Sequence, residues 1–145
     1  MNNLISNIQN HKSTIGIIGL GYVGLPLVLR FSEVGLRVLG LDIDPAKVAM
    51  LNSGRSYIEH IPSERIVRAQ ELGFRATAEF SEVTGMDALL ICVPTPLSKH
   101  REPDLSFVIN TTEAIKPYLR KGQVVCLEST TYPGTCRDIL LPILQ

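Results

Sequence analysis

Ile15-Gly16-Ile17-Ile18-Gly19-Leu20-Gly21-Tyr22-Val23-Gly24 decides how this chain reads. Its first four residues are a short apolar run ending at glycines, the pattern of a parallel strand buried on both faces. Three glycines follow at the spacing G-x-G-x-x-G. Over residues 22–34 the apolar side chains recur at helical intervals, Val23, Leu27 and Phe31 with Val28 and Val34 beside them. Gly35 stands where a helix commonly stops. Between a strand and a helix each glycine has a task. Gly19 permits the tight turn, Gly21 leaves the backbone open to a pyrophosphate, and Gly24 lets the helix pack closely on the strand. The N–H groups at the helix start, near Tyr22 and Val23, are expected to face the phosphates.

A second strand at residues 37–41 runs into Asp42, 18 residues beyond Gly24. A carboxylate at that point accepts hydrogen bonds from the adenosine ribose and repels a 2′-phosphate, so the expected cofactor is NAD rather than NADP. Asp42-Ile43-Asp44-Pro45 also reads as a plain turn and helix start, with Asp42 a solvated acid. Lys47 either flanks the same ribose or is a solvated helix lysine.

The alternation continues along the chain. Pro45 opens a helix to about residue 53, and Ser63, with Glu64 in the first turn, starts another. Residues 73–77 read as a short third strand and residues 87–93 as the clearest buried one, ended by Pro94 and Pro96. Residues 97–104 are a polar loop, 105–119 a helix despite Pro117, and 123–127 a fifth strand. Pro133-Gly134 turns into a last helix. Residues 1–13 form an N-terminal arm, helical or loose, and residues 14–145 form the domain. The fold class is α/β, a doubly wound parallel sheet of Rossmann type whose ligand lies at the carboxyl ends of the strands.

Composition narrows the function. With 145 residues, 45% hydrophobic and 19% charged, the chain suits one globular core. Lys+Arg and Asp+Glu both number 14, so there is no basic footprint for nucleic acid or an anionic membrane. No apolar run approaches the about 18 residues of a spanning helix, and the N-terminus does not read as a signal peptide. Cys92, Cys126 and Cys136 contain no Cys-x-x-Cys pair, so no metal site is expected. Two of the three lie in apolar runs and read as buried thiols, which suits a reducing cytoplasm.

Three segments carry a family resemblance. Residues 17–26, Cys92-Val93-Pro94-Thr95-Pro96, and Glu128-Ser129-Thr130-Thr131-Tyr132-Pro133-Gly134 resemble, in order, motifs of the UDP-glucose/GDP-mannose dehydrogenase family. Ser56-Tyr57-Ile58 and residues 94–106 resemble the branch acting on UDP-N-acetylhexosamines, glucosamine ahead of its mannosamine epimer. The resemblance implies oxidation of a nucleotide-sugar C6 alcohol to a carboxylate with two NAD, serving polysaccharide biosynthesis in a homo-oligomer. It implies cofactor contacts at Gly19, Gly21, Tyr22, Val23, Gly24, Asp42, Lys47, Val93, Pro94, Thr95 and Thr130. It puts Glu128 near the nicotinamide and gives Thr131 a catalytic water; alternatively, residues 129–131 cap the last helix. Lys99-His100-Arg101 could meet a substrate phosphate or be solvated. His11 and His60 receive no role, and Cys136 reads as structural.

The family's nucleophilic cysteine sits in a glycine-rich motif that residues 1–145 lack. That thiolate holds the aldehyde for the second oxidation. The chain is therefore expected to be a fragment, truncated before the last Rossmann strand, that binds NAD without turnover. The alternatives are the N-terminal domain of a β-hydroxyacid dehydrogenase and a stand-alone NAD-sensing module.

Overall fold

The computed structural model describes residues 2–145. β1 (Thr14–Ile18) is buried over its last four residues, which accounts for its unbroken apolar run. It lies at the centre of the sheet, between β2 (Arg37–Leu41) and β4 (Ala88–Ile91). β3 (Arg75–Thr77) pairs outside β2, and β5 (Val124–Leu127) outside β4. Every pairing is parallel, and the order is β3-β2-β1-β4-β5. Register is continuous across the centre: Ile18 stands beside Leu41 on one side and Ile91 on the other.

Among the described residues, six α-helices accompany the strands: α1 (Asn2–Gln9), α2 (Gly24–Glu33), α3 (Pro45–Asn52), α4 (Ser63–Glu71), α5 (Ser106–Ile115) and α6 (Leu141–Leu144). An apolar layer covers each face of the sheet. On one face Ile15, Ile17 and Val38 pack with Val28 and Leu29 of α2 and Ile66 of α4. On the other, Ile18, Leu39 and Leu89 pack with Val108 and Ile115 of α5 and with Leu140. The doubly wound sheet expected from the alternation is the one observed. None of the described helices is long and apolar enough to cross a membrane.

Local chemistry sets the helix ends. Asp44 caps α3 by accepting from the Ala46 N–H at 2.9 Å, with Pro45 at the first helical position. Gly35 adopts φ +89°, and its N–H donates to the Ser32 carbonyl. Elsewhere the structure departs from expectation. α2 begins at Gly24 rather than residue 22: residues 21–23 form the turn that leads into it, and the Leu25 N–H bond to the Gly21 carbonyl is the first of its i→i−4 ladder. The expected helix at 105–119 ends at Ile115 and continues as a 3₁₀ turn, Lys116–Tyr118, where Pro117 has no N–H to extend the ladder. The last helix opens as a π turn, Cys136–Leu140. Pro142 cannot donate to the Asp138 carbonyl, which favours the wider turn there. Cys126 is half-buried rather than buried, because β5 is an edge strand.

Candidate functional site

β1 and β4 are neighbours in space, yet the chain leaves their carboxyl ends toward opposite faces of the sheet, to α2 and α5. This is the switch point at which such sheets open a crevice. The glycine loop rises from β1 on one side of it. Val93-Pro94-Thr95 leaves β4 on the other.

The three glycines of the loop differ in what surrounds them. Gly19 holds φ +94°, and a Cβ on it would stand 2.6 Å from the Cys92 carbonyl oxygen. A Cβ on Gly24 would stand 1.8 Å from the Gly19 carbonyl oxygen. Both therefore serve contacts within the protein: the turn, and the seating of α2 on β1. A Cβ on Gly21 would meet nothing within 4 Å. Only the middle glycine faces open space, and a side chain there would occupy a cradle that suits a diphosphate.

Asp42 is not a loose turn acid. It is 8% exposed, and its two oxygens accept backbone N–H groups, Oδ2 from Leu20 and Oδ1 from Asp44, each at 2.9 Å. Every carboxylate oxygen has a second lone pair, so both can still accept a ribose hydroxyl. Lys47 brings its ammonium to 4.0 Å from Oδ2 and lies over the Tyr57 ring, 5.6 Å from its centroid. The Tyr57 hydroxyl donates to the Leu20 carbonyl. Burial, and then the negative charges of Asp42 and Asp44, push the Tyr57 phenol well above its ordinary value.

Two adjoining clefts share Cys92, Val93 and Pro94. The first, about 260 Å³, runs from Gly19–Gly21 past Asp42 and Lys47 to Ile43, Phe80, Phe107 and Thr111. Its apolar far end, beyond a carboxylate, suits a nucleoside. The second, about 280 Å³, is lined by Tyr22, Val23, Thr95, Glu128, Ser129 and Thr130. Glu128 reaches it because its N–H donates to the Ile91 carbonyl at 2.8 Å, prolonging the β4–β5 ladder. The Ser129 hydroxyl donates to the Val93 carbonyl at 2.7 Å and ties the two strand ends together. Ser129 therefore does not cap the last helix. Thr135 precedes that turn, and its hydroxyl donates to the Tyr132 carbonyl.

The crevice brings together Gly19, Gly21, Asp42, Lys47, Val93 and Pro94 in its first half and Tyr22, Val23, Thr95, Glu128 and Thr130 in its second. Gly24 lies behind the loop. Thr131 is half-buried and lines neither cleft. The Lys99-His100-Arg101 loop is exposed and also lines neither. His60, given no role from sequence, stacks on Tyr22 with ring centroids 6.1 Å apart. Sequence reasoning missed Ile43, Phe80, Phe107 and Thr111 as lining residues. Phe107 and Thr111 are one turn apart on α5, a pair that helical spacing could have flagged. Phe80 lies in a 3₁₀ turn, Phe80–Gly85, with no periodicity to reveal it.

None of the cysteines is placed as a nucleophile. Burial, reinforced by the Glu128 charge, pushes the Cys92 thiol up to about 11. Cys126 is shifted upward for the same first reason, and Cys136 lines neither cleft. Among the described residues, no group of three His, Cys, Asp or Glu is arranged to hold a metal ion.

The sequence model of the UDP-glucose/GDP-mannose dehydrogenase family, NAD binding domain, matches residues 13–145. The chain is 34% identical over 131 residues to UDP-N-acetyl-D-glucosamine 6-dehydrogenase of Pseudomonas aeruginosa, covering 90% of this chain and 30% of that protein. It is 40% identical over 129 residues to UDP-N-acetyl-D-mannosamine dehydrogenase of Salmonella typhimurium, covering 88% and 30%. A crystal structure of a ternary complex of GDP-mannose dehydrogenase from Pseudomonas aeruginosa superposes with a TM-score of 0.84 at 30% identity, over 90% of this chain and 31% of that one. The chain thus spans about a third or less of the length of these relatives. With a match over nearly its whole length, this chain belongs to the UDP-glucose/GDP-mannose dehydrogenase family and is its NAD-binding domain.

Proposed function

We propose that this chain is the cofactor-binding portion of a nucleotide-sugar 6-dehydrogenase that oxidises the C6 alcohol of a UDP-N-acetylhexosamine to the carboxylate. The observation that carries the reading is the crevice itself: a carboxylate at one end, Asp42, an open glycine, Gly21, in the middle, and a second carboxylate, Glu128, at the other end. When bound, NAD supplies the electron acceptor for the oxidation. Asp42 orients the adenosine ribose, with Lys47 beside it. The backbone around Gly21, with Tyr22 and Val23, receives the diphosphate. Val93, Pro94, Thr95 and Thr130 form the wall on which the nicotinamide half rests, and Glu128 offers an acceptor to its amide. The family resemblance gives Thr131 a catalytic water; it lines neither cleft here, so that role belongs to the complete enzyme. N-acetylhexosamine substrates are favoured by two relatives whose names specify UDP-N-acetyl-D-glucosamine and UDP-N-acetyl-D-mannosamine.

The described thiols do not serve the second oxidation, because Cys92 is held protonated and the other two stand outside the clefts. In this reading the thiolate and the sugar site belong to sequence outside these 145 residues. The complete enzyme works as a cytoplasmic homo-oligomer feeding polysaccharide biosynthesis. Free rather than paired cysteines suit that compartment.

The test is absorbance of NADH with the chain alone, NAD and UDP-N-acetylglucosamine or its mannosamine epimer. NAD binding without NADH production is expected. Steady NADH production that survives repurification and is lost in Thr131→Ala would contradict the reading, because the chain would then be a complete catalyst.

A further inference from the structure

Tyr57 carries a half-buried hydroxyl to which the cofactor reading gives no task. It comes from the segment between α3 and α4, far along the chain from the glycine loop. That segment is anchored: Ile58 and Ile61 are each 4% exposed, and the Ser56 N–H donates to the Ser63 hydroxyl at 3.1 Å. The phenol is thus delivered from a fixed support, and the Lys47 ammonium over its ring limits its swing.

Its target is the Leu20 carbonyl, one half of the Leu20–Gly21 peptide. A trans peptide is planar, with C=O and N–H on opposite edges. Holding the Leu20 oxygen therefore fixes the direction of the Gly21 N–H. The restraint matters at this peptide because glycine accepts φ of either sign, so a peptide preceding it can rotate with little penalty. The neighbouring peptide is held separately, by the Leu20 N–H bond to Asp42. Leu20 is gripped on both sides, by Asp42 and by Tyr57, while Gly21 itself faces open space.

We propose that Tyr57 is a positioning residue for diphosphate binding, its hydroxyl fixing the Leu20–Gly21 peptide so that the Gly21 N–H is already aimed before the dinucleotide arrives. The inference rests on the reading of Gly21 as the diphosphate cradle. Because burial and the charges of Asp42 and Asp44 keep the phenol protonated, it remains a donor across the working pH range.

The test compares ADP, which carries a diphosphate, with adenosine, which does not, by titration of the chain and of Tyr57→Phe. Phenylalanine keeps the ring and the Lys47 contact and removes only the donor. The expected result is a loss of about 3- to 10-fold in ADP affinity, one hydrogen bond's worth, with adenosine affinity unchanged. The Gly21 amide resonance of Tyr57→Phe should also broaden as the peptide gains freedom. Unchanged ADP affinity, or equal losses for both ligands, would overturn the proposal. A Tyr57→Phe chain that does not fold would overturn it as well, since the hydroxyl would then hold the fold and not the ligand. If the unmodified chain binds no ADP, the cradle reading itself is wrong, and the proposal goes with it.

Discussion

Asp42 Oδ2 accepts the backbone N–H of Leu20 at 2.9 Å, across 22 residues of sequence, so the acid at the end of β2 closes the glycine loop at the end of β1. The carboxylate assigned to the ribose is also part of the scaffold. Removing it acts on the loop even without ligand.

Asp42→Ala should therefore destabilise the free chain. The Leu20 N–H would be left without its partner beneath a fully buried side chain, at about 1–3 kcal/mol. Thermal unfolding without NAD checks this. An unchanged midpoint would mean that Asp42 serves the ligand alone.

Gly21 and Gly24 should respond oppositely to alanine. Gly24→Ala drives a methyl into the Gly19 carbonyl, backbone against backbone, and should lower stability by about 2 kcal/mol or more. Gly21→Ala meets no atom, so the fold should persist while NAD affinity falls by at least tenfold as the methyl fills the cradle. Unfolding midpoints and NAD titrations of both variants check the contrast.

Glu82 pairs through both oxygens with the Arg75 guanidinium, clasping the edge of β3 to the 3₁₀ turn that brings Phe80 to the cleft. The hydrogen bond from Arg75 holds the Glu82 carboxyl below its ordinary value. A folded value below the unfolded one means that the pair stabilises above the ordinary glutamate range and loses its effect as pH falls through the folded value. Both side chains are partly exposed, so the contribution is about 0.5 kcal/mol. Glu82→Gln should lower the unfolding midpoint slightly at neutral pH and not at all in strong acid.

Thiol alkylation should rank the cysteines by access and ionisation. Cys136 is exposed, Cys126 half-buried, and Cys92 buried with its thiol pushed up to about 11. Iodoacetamide near neutral pH should label Cys136 first and Cys92 last, as read by peptide mass mapping. Early labelling of Cys92 would show that the floor shared by the two clefts opens readily.

What the sequence made legible was local in sequence or periodic. Gly19, Gly21, Gly24 and Asp42 announce themselves by spacing, because one strand, one turn and one helix fix their positions. The buried strands show as apolar runs because both faces are covered. The rest of the crevice is assembled across the chain. Tyr57 reaches Leu20 from a loop without pattern, and Phe80 lies in a turn too short for a period. Ser129 illustrates an ambiguity that residue type cannot resolve. A hydroxyl before Pro133-Gly134 suits a helix cap equally well, and only the spatial adjacency of β4 and β5 shows it bonded to the Val93 carbonyl.

The central claim is that the crevice running from Asp42 past Gly21 to Glu128 takes NAD. Calorimetric titration of the unmodified chain with NAD and, in parallel, with NADP tests it most directly. One NAD per chain is expected, bound at least tenfold more tightly than NADP, because the Asp42 carboxylate repels a 2′-phosphate. No heat of binding with NAD, or NADP binding as tight as NAD, would contradict the account.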